Sequence, residues 1–192
     1  MIPELGLFAL IIAFGIAVVQ GVVPLIGAMR NDATLIAMAR PTAWAQLLFV
    51  SIAYAALTHA FIVHDFSVLY VSKHSNLVQP LLYRVSGVWG SHEGSMLLWT
   101  LILALWTTAV AIYSRSLPNV LMARVLAVMG LTSIGFYAFM LWTSNPFERL
   151  FPTPADGHSL NPLLQDPGLA MHPPMLYMGY VGFSVAFAFA VA

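Results

Sequence analysis

LNPLLQDPGLAMHPPMLYMGYVGFSVAFAFA, residues 160–190, joins a proline-rich lead-in to a helix-length apolar run and sets one histidine, His172, between them. Proline suits the first turn of a helix, where its missing N–H would have no partner anyway, so Pro173 and Pro174 predict a helix starting at Pro173. A residue before proline is pushed toward extended geometry, which places His172 in the incoming loop with its imidazole turned away from the helix. The positive pole of that helix disfavours imidazolium and leaves the neutral ring that a metal requires. Such a ring can hold a metal such as haem iron at a membrane face. Spacing alone favours the plainer reading, an interfacial histidine that hydrogen-bonds a neighbouring loop.

The rest of the chain makes the membrane setting plain. Of its 192 residues 60% are hydrophobic and only 7% charged, and its mean hydropathy is +0.88. A soluble globular domain carries roughly 25% charged residues. An all-α multi-pass membrane protein is expected, a single membrane domain with helices over about 5–29, 41–63, 92–114, 122–143 and 173–192 and two long connections between them. The last run is still apolar at Ala192, which reads as the N-terminal part of a longer protein with an incomplete helical domain. The first run lacks a basic lead and a small-residue cleavage site, so it reads as a retained span.

Net charge is zero, so no basic surface for nucleic acid exists, and the basic residues serve as topology markers instead. Arg30 and Arg40 bracket the first short connection, and Arg115 and Arg124 the other. Lys73, Arg84 and Arg149 are spread over the long connections, 59–93 and 148–172. The positive-inside rule puts the short connections in the cytoplasm and the N-terminus, the long connections and His172 outside. The chain has no cysteine, so any thiol in its chemistry comes from a partner.

Within the first long connection Phe66, Val68 and Tyr70 alternate with smaller or polar residues and predict a strand. The segment from Pro80 to Trp89 predicts an interfacial helix. Gln20, the buried amide of the first helix, is expected to bond a neighbouring helix; His59 is a possible ligand but by default an interfacial histidine, and His74 and His158 read as turn residues. VWGSHEGSMLLW, residues 88–99, is the second chemically loaded patch. Ser91 is a candidate cap there, with Glu93 on the positive end of the helix dipole. The structural reading is an anchor wedged between Trp89 and Trp99; the functional one has His92, Glu93 and Trp89 touching a cofactor, or His92 and Glu93 relaying protons.

Together, VWGSHEGSMLLW, TSNPFERL and the 160–190 segment, with MIPELG at the start and HDFSV from His64, resemble the N-terminal part of the CcmF family. These are the membrane haem lyase subunits of bacterial cytochrome c maturation, within the wider group of haem-handling membrane proteins, and the resemblance spans essentially the whole chain. It implies a longer protein of the bacterial inner membrane with a periplasmic N-terminus. That protein binds haem externally between two histidines, of which His172 matches the first as an axial ligand of the iron. The second histidine, a tryptophan-rich loop and the ligands of a separate b-type haem are expected beyond Ala192. The implied partners are membrane lipid, a haem chaperone, other maturation subunits, the CxxCH segment of an apocytochrome c and quinol as a source of electrons. The complete protein would be a holocytochrome c synthase subunit, and this segment alone inactive. A nitrite-reductase-specific lyase paralogue shares the motifs, and CcmC and CcsA share the tryptophan-rich idea. A quinone- or proton-linked transporter subunit and a purely structural assembly subunit are the rivals from other classes; the apolar helix centres speak against the transporter.

Overall fold

The computed structural model describes all 192 residues. Its α-helices are α1 (Ile2–Arg30), α2 (Ala33–Ala37), α3 (Ala39–Ile62), α4 (Leu69–His74), α5 (Leu81–Gly87), α6 (His92–Tyr113), α7 (Asn119–Trp142) and α8 (Pro167–Val191), with 3-10 turns at Ser114–Ser116 and Pro162–Gln165. The stretches built on α1, α3, α6, α7 and α8 are long and apolar enough to cross a membrane. There is no β-sheet.

Small residues set how closely these helices pack, because lipid offers no hydrophobic drive between apolar surfaces and contact comes from close backbone approach. Ala9, Ala13 and Ala17 of α1 and Ala53, Ala56 and Ala60 of α3 are buried in one cluster. Where α1 meets α7, a Cβ on Gly130 would stand 2.8 Å from the Gly21 backbone nitrogen, so glycine is what allows this approach. One turn away, buried Gln20 donates from Nε2 to the Leu126 carbonyl of α7 at 2.9 Å, the interhelical bond expected of it.

The N-terminus and both long connections meet on one face. Arg149 donates from Nε and Nη2 to Glu4 Oε1 at 2.8 and 2.5 Å, donates from Nη1 to the Ser67 hydroxyl, and lies 3.5 Å from Asp65 Oδ2. Further along, Asn76 donates to Ser159 Oγ at 2.7 Å and the His158 amide donates to the Ser72 carbonyl at 2.7 Å. The two short turns share the opposite face, where Arg40 reaches the Ser114 carbonyl at 3.5 Å.

Two expectations are corrected. The alternation at Phe66, Val68 and Tyr70 makes no strand: Val68 forms a single antiparallel bridge with Arg149, and α4 begins at the next residue. All three side chains are buried, so the alternation reports packing rather than a sheet. The last helix starts at Pro167 and not at Pro173. Asp166 caps it by accepting the Leu169 N–H at 3.0 Å, and Pro167 takes the first-turn position. His172 therefore lies inside α8, in its second turn, and not in the incoming loop. The helix dipole acts within the first turn, so the argument that it keeps this ring neutral loses its basis.

Candidate functional site

A histidine that ligates must leave a ring nitrogen free. Of the six histidines, four have one ring nitrogen engaged and the other free: His64 Nε2 takes Arg84 Nη1 at 3.0 Å, His74 Nδ1 lies 2.9 Å from the Tyr70 carbonyl, His92 Nδ1 lies 2.8 Å from Ser144 Oγ, and His158 Nδ1 faces the Ser72 carbonyl at 3.4 Å. His59 and His172 are both exposed and unengaged.

His172 stands at the N-terminal end of a face of α8 that runs through Met175, Leu176, Gly179, Tyr180 and Phe183 at the spacing of three, four, seven, eight and eleven residues that aligns side chains on one side of a helix. Each is exposed, Met175 at 70% and Phe183 at 71%, and a Cβ on Gly179 would meet nothing within 4 Å. The result is a free imidazole above an open apolar strip with a gap at its centre. No cluster of three or more His, Cys, Asp or Glu side chains that could hold a metal ion exists.

The VWGSHEG patch is held rigidly beside it. Buried Tyr70 accepts the Ser91 N–H at 3.1 Å, and its own O–H faces the carbonyls of Gly87 at 3.1 Å and Val88 at 3.2 Å. Burial pushes this phenol well above its usual range, which keeps it the neutral hydroxyl that can both donate and accept. A Cβ on Gly94 would fall 1.6 Å from the Val88 carbonyl oxygen, so only glycine fits there. Ser91 occupies the cap position of α6, yet its side chain makes no capping bond; the Tyr70 hydroxyl serves its backbone instead. Sequence reasoning placed Tyr70 in a strand and so missed it.

The candidates in this patch part ways. Trp89 reaches α8, donating its indole N–H to the Ala170 carbonyl at 2.8 Å, two residues before His172. His92 turns toward the end of α7, edge-on to Phe139 at 5.5 Å as well as bonded to Ser144. Glu93 is partly buried without an ion-pair partner. The structure thus joins Trp89 to the helix of His172 and gives His92 an anchoring contact. Lower along the same interface Trp106 donates to the Met178 carbonyl at 3.0 Å, and Trp99 packs edge-on to Tyr177 at 5.4 Å.

The sequence model of the family described as Cytochrome C assembly protein matches residues 89–192, more than half of the chain. The chain belongs to that family. Among relatives of this cytochrome c assembly family, the cytochrome c-type biogenesis protein CcmF of Pseudomonas aeruginosa is 61% identical over 193 residues, and CcmF of Escherichia coli is 54% identical over 193. The protein NrfE of Haemophilus influenzae is 44% identical over 192 residues. A solved structure described as cytochrome c heme lyase CcmF superposes with a TM-score of 0.85 at 28% identity, covering 100% of this chain and 30% of that one. The chain spans about 29% of the length of the P. aeruginosa relative.

Proposed function

We propose that the chain forms the N-terminal membrane part of a cytochrome c haem lyase, and that its His172 imidazole holds the iron of substrate haem at the outer membrane face. The observation that carries this is the free, exposed ring of His172 above the open strip of α8. A planar apolar macrocycle fits that strip, and a neutral imidazole is a common axial ligand of haem iron. This reading leaves the opposite axial position to the second histidine expected of the complete protein. The chemistry served is thioether formation: each thiol of an apocytochrome CxxCH segment adds across a haem vinyl group, sulfur to one carbon and hydrogen to the other, with no net oxidation. The cysteine-free chain fits that division of labour. Its own part is to bind and orient haem. A haem chaperone, other maturation subunits and quinol as reductant are the partners this reading assigns to the complete protein.

The greater identity to CcmF proteins than to NrfE favours the general lyase over the nitrite-reductase paralogue. The membrane is the bacterial inner membrane, with the face bearing Glu4, Arg149 and His172 in the periplasm. Arg30, Arg40, Arg115 and Arg124 at the opposite face support that orientation. A cysteine placed at Asn31 or Asn119 is expected to resist an impermeant thiol reagent in intact cells; efficient labelling there reverses the orientation. The function is tested in the complete protein by His172→Ala, scored as covalent haem on a reporter c-type cytochrome. A fall of about tenfold or more at normal protein level is expected. Wild-type yield refutes the reading.

A further inference from the structure

Proline inside a helix withholds an N–H from the carbonyl four residues earlier. Pro173 and Pro174 lie inside α8, so the carbonyls of Leu169 and Ala170 lose their intrahelical partners. Leu169 is 46% exposed, whereas Ala170 is 3% exposed, and an unpaired carbonyl buried beside a membrane is costly. The Ala170 carbonyl is the one that receives the Trp89 indole N–H, at 2.8 Å.

We propose that Trp89 is a positioning residue for His172: its indole N–H supplies the bond that Pro174 withholds from Ala170 and so fixes the turn of α8 that carries the imidazole. The proposal rests on His172 being the haem ligand. The two ends of the link differ in rigidity. Trp89 stands on a segment locked by the Tyr70 hydroxyl, by Ser95 Oγ donating to the Trp89 carbonyl at 2.8 Å, and by Gly94 pressed against Val88. On α8, by contrast, no residue between Ala170 and Val181 is buried. The turn bearing His172 is therefore held at Ala170, and the next bond onto α8 comes two turns later, from Trp106 to the Met178 carbonyl. An axial ligand tolerates little drift, because the reacting and binding groups of a site must be kept within about 0.5 Å of productive geometry.

This role differs from direct haem contact in what it demands of the side chain. Contact needs the ring; positioning needs the N–H, and needs it only while residue 174 is proline. Trp89→Phe keeps an aromatic ring and removes the donor. Pro174→Ala returns a backbone N–H that can bond the Ala170 carbonyl within the helix.

The experiment is a double-mutant cycle in the complete protein with two readouts: hydrogen–deuterium exchange of the 167–176 segment, and haem affinity by absorption titration. Trp89→Phe is expected to speed exchange in that segment and weaken haem binding about tenfold, equivalent to about 1.4 kcal/mol. In the Pro174→Ala background the same substitution is expected to change neither quantity. An equal penalty in both backgrounds, or unchanged exchange after Trp89→Phe alone, overturns the proposal. If exchange responds and is cancelled by Pro174→Ala while haem affinity stays constant throughout, the anchor stands but the haem-ligand reading of His172 falls, and with it the positioning role.

Discussion

The bundle of α1, α3 and α7 and the lone α8 are both apolar helices, yet they are built on different terms. In the bundle, between 39% and 44% of each apolar run is buried, and alanine and glycine line the contacts. In α8 only 11% is buried, and large side chains such as Met175, Tyr180 and Phe183 face outward. The bundle depends on close backbone approach, so its stability is sensitive to atoms added at its seams, such as Gly6, Gly21 and Gly130. α8 is attached at a few points by indole N–H donors to its carbonyls, which leaves its outer face free to meet a ligand. The difference teaches where to look for function in a chain with almost no buried charge: on the helix that packs least.

The largest expected effect breaks the bundle. Gly130→Leu places a side chain where a Cβ alone would stand 2.8 Å from the Gly21 nitrogen, so the α1–α7 seam has to open. Overpacking of this kind costs about 3 kcal/mol or more, to be read as a drop in thermal stability in detergent. Gly179→Leu on α8 is the counterpart: nothing lies within 4 Å of its Cβ, and a stability change within about 0.5 kcal/mol is expected. Similar losses at both positions would erase the contrast between the regions.

Smaller effects sharpen it. Gln20→Leu removes the bond to the Leu126 carbonyl and is expected to cost about 1 kcal/mol in the same thermal assay. His92→Gln loses the edge contact with Phe139 and alters the bond to Ser144, for about 0.5–1 kcal/mol of stability, with cytochrome c maturation nearly intact. A collapse of maturation at normal protein level would instead move His92 into the chemistry.

The smallest effect is a pH dependence of the first long connection. Burial and then the neighbouring Arg84 guanidinium hold His64 below its usual value of 6.5, against an opposing pull from Asp156. A depressed folded pKa means the unfolded chain takes up the proton first as pH falls. The stabilisation is thus present above about pH 6.5 and is lost as pH drops through the lower folded value. Faster exchange of amides near His64 on acidification, flattened by His64→Gln, is the expected result; an unchanged slope in His64→Gln assigns the dependence elsewhere.

The sequence made some of this legible for identifiable reasons. Long charge-free runs name membrane helices, and paired arginines at short turns group the ends of the bundle, as Arg40 at Ser114 bears out. The start of α8 was misplaced because two start signals compete: Asp166-Pro167 and Pro173-Pro174 are both good first-turn prolines, and only the former has a capping side chain before it. Tyr70 was hidden because its role depends on a long-range meeting with Ser91 and Gly87, which no local pattern carries. The Trp89 bond was hidden as well: with the helix expected to start at Pro173, Ala170 lay outside it, and only the fold puts Pro174 inside α8 and brings the indole donor to the Ala170 carbonyl.

The central claim is that α8 exposes His172 to serve haem iron, and the most direct measurement is the haem absorption spectrum of the complete protein carrying His172→Ala, with and without added imidazole. Loss of one axial ligand is expected to shift the spectrum and weaken haem binding, and imidazole entering the vacated position is expected to restore part of both the spectrum and the maturation yield. An unchanged spectrum with wild-type yield of cytochrome c would contradict the account and remove His172 from the site.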